Sequence, residues 1–289
     1  MVDVIETKVI LELFEKCILP SLLNNCESWT LSQPEEVQIE KITITAIKRL
    51  FNLPTTTPTA AIIFSLGLLY TTQSVDQRRF LYLHKLLNRE NDHWNKQMLL
   101  HLHTTNLGWA KNISEKLAEY GLESNWDIIK SKTRNEWRAS VNKAVNERNK
   151  QRLIENCTTA TATGTKINTK TKEIHGRLIT EQYNRQPLNE LYHGNKQRTK
   201  TIILARHRML ECGKNFRGTM SEICRSCNVT DDENHRLNEC TRWIVGNQPE
   251  LNFNDIYSTE IEVIDNLIQH LNNLWEFKYA NGRMKTKSH

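Results

Sequence analysis

SQPEEVQIEKITITAIKRLFNLP, residues 32–54, decides how the rest of the chain is read. Ser32 and Glu35 stand at the spacing of a capping box, and Pro34 falls in the first turn, where its missing N–H costs nothing. Ile39, Ile42, Ala46, Ile47 and Leu50 then recur on one face at helical spacing. Asn52-Leu53-Pro54 stops the run, and Thr55-Thr56-Thr57-Pro58 reads as a loop. The segment is an amphipathic helix with a start, a core face and a stop.

The same signals extend outward. Residues 5–19 place Val9, Ile10, Leu13, Phe14, Cys17 and Ile18 at helical spacing, with Pro20 expected to end the run. A second box, Ser74-x-x-Gln77, is expected to open a helix with Val75, Phe80, Leu83, Leu86 and Leu87 inside. Arg78, Arg79, His84 and Lys85 would then lie outside. Trp94, Trp109, Trp126 and Trp137 read as core or interhelix anchors. Residues 125–156 form a long charged pattern with a narrow stripe of Trp126, Ile129, Trp137, Val141 and Val145. That stripe fits another helix better than nucleic acid. Thr158 to Lys172 has no core pattern and reads as a linker.

Beyond the linker, Arg198 to Phe216 forms a helical wheel with Ile202, Ile203, Ala205, Met209 and Leu210 on one arc. Arg206 falls inside that arc, so it needs an acidic partner, a carbonyl cluster or a phosphate. Thr259-x-x-Glu262 caps a final helix carrying Ile264, Leu267, Ile268, Leu271, Leu274 and Trp275. The seam is short of three heptads, which favours packing on the body over dimerisation through 259–276.

Cys224-x2-Cys227-x7-His235-x4-Cys240 is the constellation with specific chemistry. Three thiolates and one imidazole suit a tetrahedral zinc ion and leave no position for a catalytic water, so the metal would be structural. A chance cluster or disulfide pairing is the alternative at this point.

Composition narrows the classes further. The 38% apolar fraction, 10 glycines and 6 prolines favour helices over a strand-rich fold. Seven cysteines, an odd number, do not make a disulfide framework. Cys17, Cys26, Cys157 and Cys212 read as reduced, and an intracellular protein, nuclear or cytoplasmic, is expected. The first residues lack an apolar signal core, and the longest apolar stretch, Ala60 to Tyr70, is too short to span a bilayer. Net charge is +6, but residues 128–218 hold 20 Lys+Arg against 7 Asp+Glu. A basic middle between acidic ends is the footprint of a polyanion binder, although solvated lysine-rich helices give the same count.

The succession Ile18-Leu19-Pro20 … Glu27-Ser28-Trp29, then Ile47-Lys48-Arg49-Leu50-Phe51-Asn52-Leu53-Pro54, Thr57-Pro58, Leu66-Gly67 and Arg78-Arg79 resembles a known region. It is similar to the stretch after the catalytic palm in LINE-type (non-LTR) retrotransposon reverse transcriptases. There "vlP-x-llyG-x-e-x-W" precedes a helix ending "lr-x-ilglp", followed by "Tp" and "elG". The chain departs at Asn24-Asn25-Cys26, where Tyr-Gly-x is usual, and at Ser65, where Glu is usual. Leu204-Ala-Arg206-His-Arg-Met209-Leu210 … Asn215-Phe216 also resembles the family's "l-x-lRtgml … Nf" helix, which directly precedes a CCHC knuckle. The two matches occur in the family's order.

The resemblance implies a mainly α protein. Residues 1–156 would form a helical, thumb-like region and 157–175 a Thr-rich linker. Residues 176–250 would form the basic segment with the knuckle, and 251–289 a C-terminal helix and basic tail. It also implies binding of RNA or DNA, alongside the rest of a retrotransposon protein. Arg198, Lys200, Arg206, Arg208, Lys214, Arg217, Arg225 and Arg242 would contact phosphates, and Trp243 would stack on a base. Catalysis is not expected, because polymerisation needs paired aspartates on a strand turn and the only Asp-Asp is Asp231-Asp232, inside the knuckle loop. Two other readings are a zinc-stabilised protein-interaction module and a decayed transposon fragment.

Overall fold

Helices carry the architecture of the residues described in the computed structural model, which are 5–158, 191, 194–206, 222–240, 256 and 260–271. No strand forms among them, only the isolated antiparallel bridges Glu6–Asn195 and Ile223–Thr230. The expected Thr-rich linker begins inside a helix, which runs through Thr158, and its remainder and the basic tail lie outside the described residues.

The chain opens with α1 (Thr7–Leu13), a wide π-helical turn (Phe14–Ile18) and α2 (Leu19–Leu22). Pro20 does not end the run as expected. It occupies the first turn of α2, and the π-helical turn just before it absorbs the interrupted hydrogen-bond ladder. Ile10, Leu11 and Phe14 are buried, while Val9, Leu13 and Ile18 are exposed.

α3 (Gln33–Leu50) begins as its sequence says, with the Ser32 amide and hydroxyl donating to Glu35 Oε2 at 2.7 and 2.6 Å. Its covered face is rotated from the expected one. Ile42 is exposed, and Thr43 and Ile44 are buried beside Ile39 and Ile47. The reason is that α3 serves two cores: Ile39 joins one with Val75, whereas Ile44 and Ile47 join another.

α4 (Thr59–Ser65) is buried from Ala60 through Ser65, as a helix apolar on all sides must be. α5 (Thr71–Leu87) follows, and its partners surround it: α3, α6 (Trp94–Thr104), α7 (Gly108–Glu119), α8 (Trp126–Ser131) and α9 (Arg134–Thr158). Val75, Phe80, Leu83, Leu86 and Leu87 are buried as expected. Arg79 and His84 were placed outside by the sequence and are buried too, because neighbours cover more than one face. Arg79 pairs with Asp76 at 3.3 Å and donates to Asn112 of α7. Asp76 also accepts from the Tyr120 hydroxyl at 3.0 Å. Burial pushes the Asp76 carboxyl above the usual carboxylate range, against the pull of Lys116 and Arg79.

The start of α5 is a second correction. Ser74-x-x-Gln77 does not cap it; Tyr70 is the N-cap, and Ser74 already lies inside the helix. The local box is replaced by a distant side chain. Asn149 of α9 accepts from the Tyr70 amide at 3.2 Å and donates to the Leu68 carbonyl at 3.2 Å.

The charged 125–156 pattern breaks at Lys132-Thr133 into α8 and α9, and a Thr133–Glu136 capping box starts the second piece. Its stripe packs on helix α5, with the Trp137 indole donating to the Phe80 carbonyl at 2.9 Å. Trp94 departs from the expected anchors and is 69% exposed.

Beyond the linker, α10 (Lys196–Arg206) docks on α4 and on the chain's start. Lys196 N–H donates to the Ile5 carbonyl at 3.1 Å, and the Thr7 and Thr199 hydroxyls share a 2.6 Å bond. The last described helix, α11 (residues 261–271), buries Ile264, Leu267, Ile268 and Leu271 in the same core as Ile10, Phe14 and Ile47. This is the body-packing side of that expectation; Leu274 and Trp275 lie outside the described residues. No described helix is long and apolar enough to cross a membrane.

Candidate metal centre

The four residues singled out by spacing converge. One ligand atom from each of Cys224, Cys227, His235 and Cys240 lies within 4.8 Å of every other. The thiol separations are informative: Cys224 Sγ to Cys240 Sγ is 3.7 Å, and Cys227 Sγ to Cys240 Sγ is 3.8 Å. A disulfide is far shorter, and none of the three cysteines is in one. Sulfurs about 2.3 Å from a tetrahedral metal would stand about 3.8 Å apart, so these spacings are those of a coordination polyhedron's edges.

Local backbone explains how each ligand arrives. Cys224 and Cys227 sit on a tight turn that Asn228 closes at φ +57, a left-handed value that asparagine tolerates. The turn is tied by Asn228 N–H to the Cys224 carbonyl and Cys224 N–H to the Val229 carbonyl, both 2.8 Å. The other two ligands are five residues apart. In an α-helix that offset puts side chains about 140° apart, whereas the wider π turn brings them onto one side. The structure takes the second course. His235–Glu239 is π-helical, and Cys240 N–H donates to the His235 carbonyl at 2.7 Å.

His235 is 2% exposed, and neither ring nitrogen has a hydrogen-bond partner. Buried imidazole nitrogens without a protein partner, gathered with three thiols, are an arrangement that a metal ion satisfies. Glu239 Oε2 lies 3.7 Å from His235 Nδ1, beyond hydrogen-bond reach. The donor set therefore fits a closed, four-coordinate metal ion.

Two residues missed as contributors support the site. Asp231 pairs with Arg236 through two 2.6 Å bonds, and Asp232 caps the turn by accepting from His235 N–H at 3.0 Å. The sequence signal was present as Asp-x-x-His, an N-cap spacing placed just before a ligand.

The residues expected to contact nucleic acid divide. Lys200 is half-buried, and Arg225 is exposed on the cysteine turn. Arg198 Nε and its terminal nitrogen lie 2.7 and 2.6 Å from Asp265 of α11, so its charge is already matched. Arg206 is 3% exposed and donates to the Ile256 carbonyl at 2.9 Å, the carbonyl partner being one its apolar setting called for. That burial takes Arg206 out of the surface set. Arg208, Lys214, Arg217, Arg242 and Trp243 lie outside the described residues.

The architecture and the cluster together define a mainly helical protein with a Cys3His group able to hold a metal. No family model, curated protein or solved structure matches the chain.

Proposed function

We propose that the chain is a nucleic-acid-binding portion of a LINE-type reverse transcriptase protein, without the catalytic palm, whose knuckle closes around one structural zinc ion. The observation that carries the reading is positional. Three of the four lettered glycines of the family patterns fall in register on Asn25, Asn52 and Gly67, whose φ values are +58, +50 and +65; the fourth falls on Arg208, outside the described residues. Left-handed backbone is uncommon outside glycine, and asparagine is among the few residues that tolerate it. Asparagine at 25 and 52 thus holds the left-handed backbone that a glycine would adopt most readily there.

Zinc suits three thiolates and an imidazole with no open position, and bound there it supplies cross-linking rather than catalysis. The chain's own residues do the rest. The cysteine turn holds Arg225 outward, and Lys200 adds a cation from α10. Asp231 and Asp232, the lone Asp-Asp, are committed to Arg236 and to the His235 amide.

Exposed Ile223 and Val229 on the knuckle's hairpin favour a second reading, a protein-interaction module. Salt separates the two. Affinity for a single-stranded RNA is expected to fall steeply as salt rises, because phosphate contacts release counterions. A flat salt dependence, or no binding, leaves the interaction module.

A further inference from the structure

Lys132-Thr133, where α8 gives way to α9, does more than break a helix. A groove of about 800 Å³ lies between this junction and the face of α5 that carries Arg78, Tyr82 and Lys85. Its lining includes five cations, Arg78, Lys85, Lys132, Arg134 and Arg138, against one carboxylate, Glu27. Among the described residues none of the five is in an ion pair. Arg78 donates to the Leu23 carbonyl at 3.2 Å, and Lys132 lies over the Trp137 ring at 5.6 Å.

The groove is held in shape by buried contacts. The His84 ring bonds the Lys132 carbonyl at 2.9 Å, and Trp137 is fixed to the Phe80 carbonyl. Below the charged rim, Leu81 and half-buried Tyr82 supply an apolar wall, with Tyr82 braced edge-on against Trp109. Five cations against one carboxylate around one concavity focus a positive field and repel one another until a further anion arrives. A single phosphate would use only part of such a rim. An acidic peptide would leave the aromatic wall unused.

We propose that this groove binds a single nucleic-acid strand, its phosphates on the cationic rim and one base against Tyr82. The ligand's class rests on the function proposed above; the place rests on the groove, which is separate from the knuckle.

Lys85, Arg134 and Arg138 are exposed and unpaired, so replacing all three by Ala leaves the fold intact. Binding of a labelled single-stranded RNA would be followed by anisotropy across a salt series. The triple variant is expected to bind at least ~10-fold more weakly at low salt, with a log–log salt slope shallower by about 2, and to retain its metal. Tyr82→Leu should lose roughly 10-fold against that RNA but not against an abasic strand of equal length. If wild type binds and the triple variant matches it in affinity and slope, the groove is overturned and the nucleic-acid reading stands. If wild type does not bind, both fail. Displacement of the RNA by poly-glutamate at equal charge would overturn the groove in favour of an acidic protein partner.

Discussion

The knuckle and the α5–α9 body are held together by different physics. Between residues 222 and 240 the buried apolar side chains are Leu237 and Cys240, and the other buried groups are Asp231, Glu233 and His235. α5 alone buries Val75, Phe80, Leu83, Leu86 and Leu87, and its buried charges are matched internally by Arg79, Asp76 and Tyr120. A segment with so little apolar surface to hide cannot offset its ordering entropy by burial. The body folds around its side chains; the knuckle, on the zinc reading, folds around an ion it must acquire.

Removing one ligand should sharpen that contrast most. Cys227→Ser is expected to abolish stoichiometric metal binding in native mass spectrometry and to collapse amide protection across residues 222–240, with α5–α9 unaffected. Unchanged metal content would sink the site. In the body, Asp76→Ala strands Arg79, which is 2% exposed, and should cost about 3–5 kcal/mol in denaturant unfolding while metal content stays the same. A loss below ~1 kcal/mol would mean that the contacts of Asp76 and Arg79 with Asn112, Lys116 and Tyr120 are not what holds α5 to α7.

The smallest effect is expected where the two regions meet. Burial lowers His270 of α11 below 6.5, opposed by a hydrogen bond to the Leu237 backbone in the knuckle. A histidine with a lowered folded value contributes stability that is present above its unfolded pKa and lost as pH falls through the folded one. Amide exchange in residues 261–271 should therefore accelerate as pH drops below 6.5, after correction for intrinsic rates. His270→Gln should flatten that response; an unchanged response would assign it to the metal ligands instead.

Local pattern was enough for much of this. Ser32 and Glu35 cap α3, the α5 core stripe is buried, and Trp126, Ile129, Trp137, Val141 and Val145 face a helix. The knuckle ligands were legible from spacing alone, because a tetrahedral ion demands residue types at offsets that a short segment can satisfy by itself. The groove was not legible. Its cations come from α5 and from the α8–α9 junction, far apart in the chain, and no local spacing joins them.

What the sequence by itself determined is the helical class, the start of α3 at Ser32 and the four residues able to hold a metal, since each depends on neighbours within a few residues. Tertiary structure decided which faces were covered. It buried Arg79 and His84, exposed Ile42, and started α5 at Thr71 through Asn149 of a distant helix. It also gave Arg206 a carbonyl and Arg198 an aspartate. A helix carries its own period, but the number of neighbours around it is set by segments far away in the chain, and burial follows the neighbours.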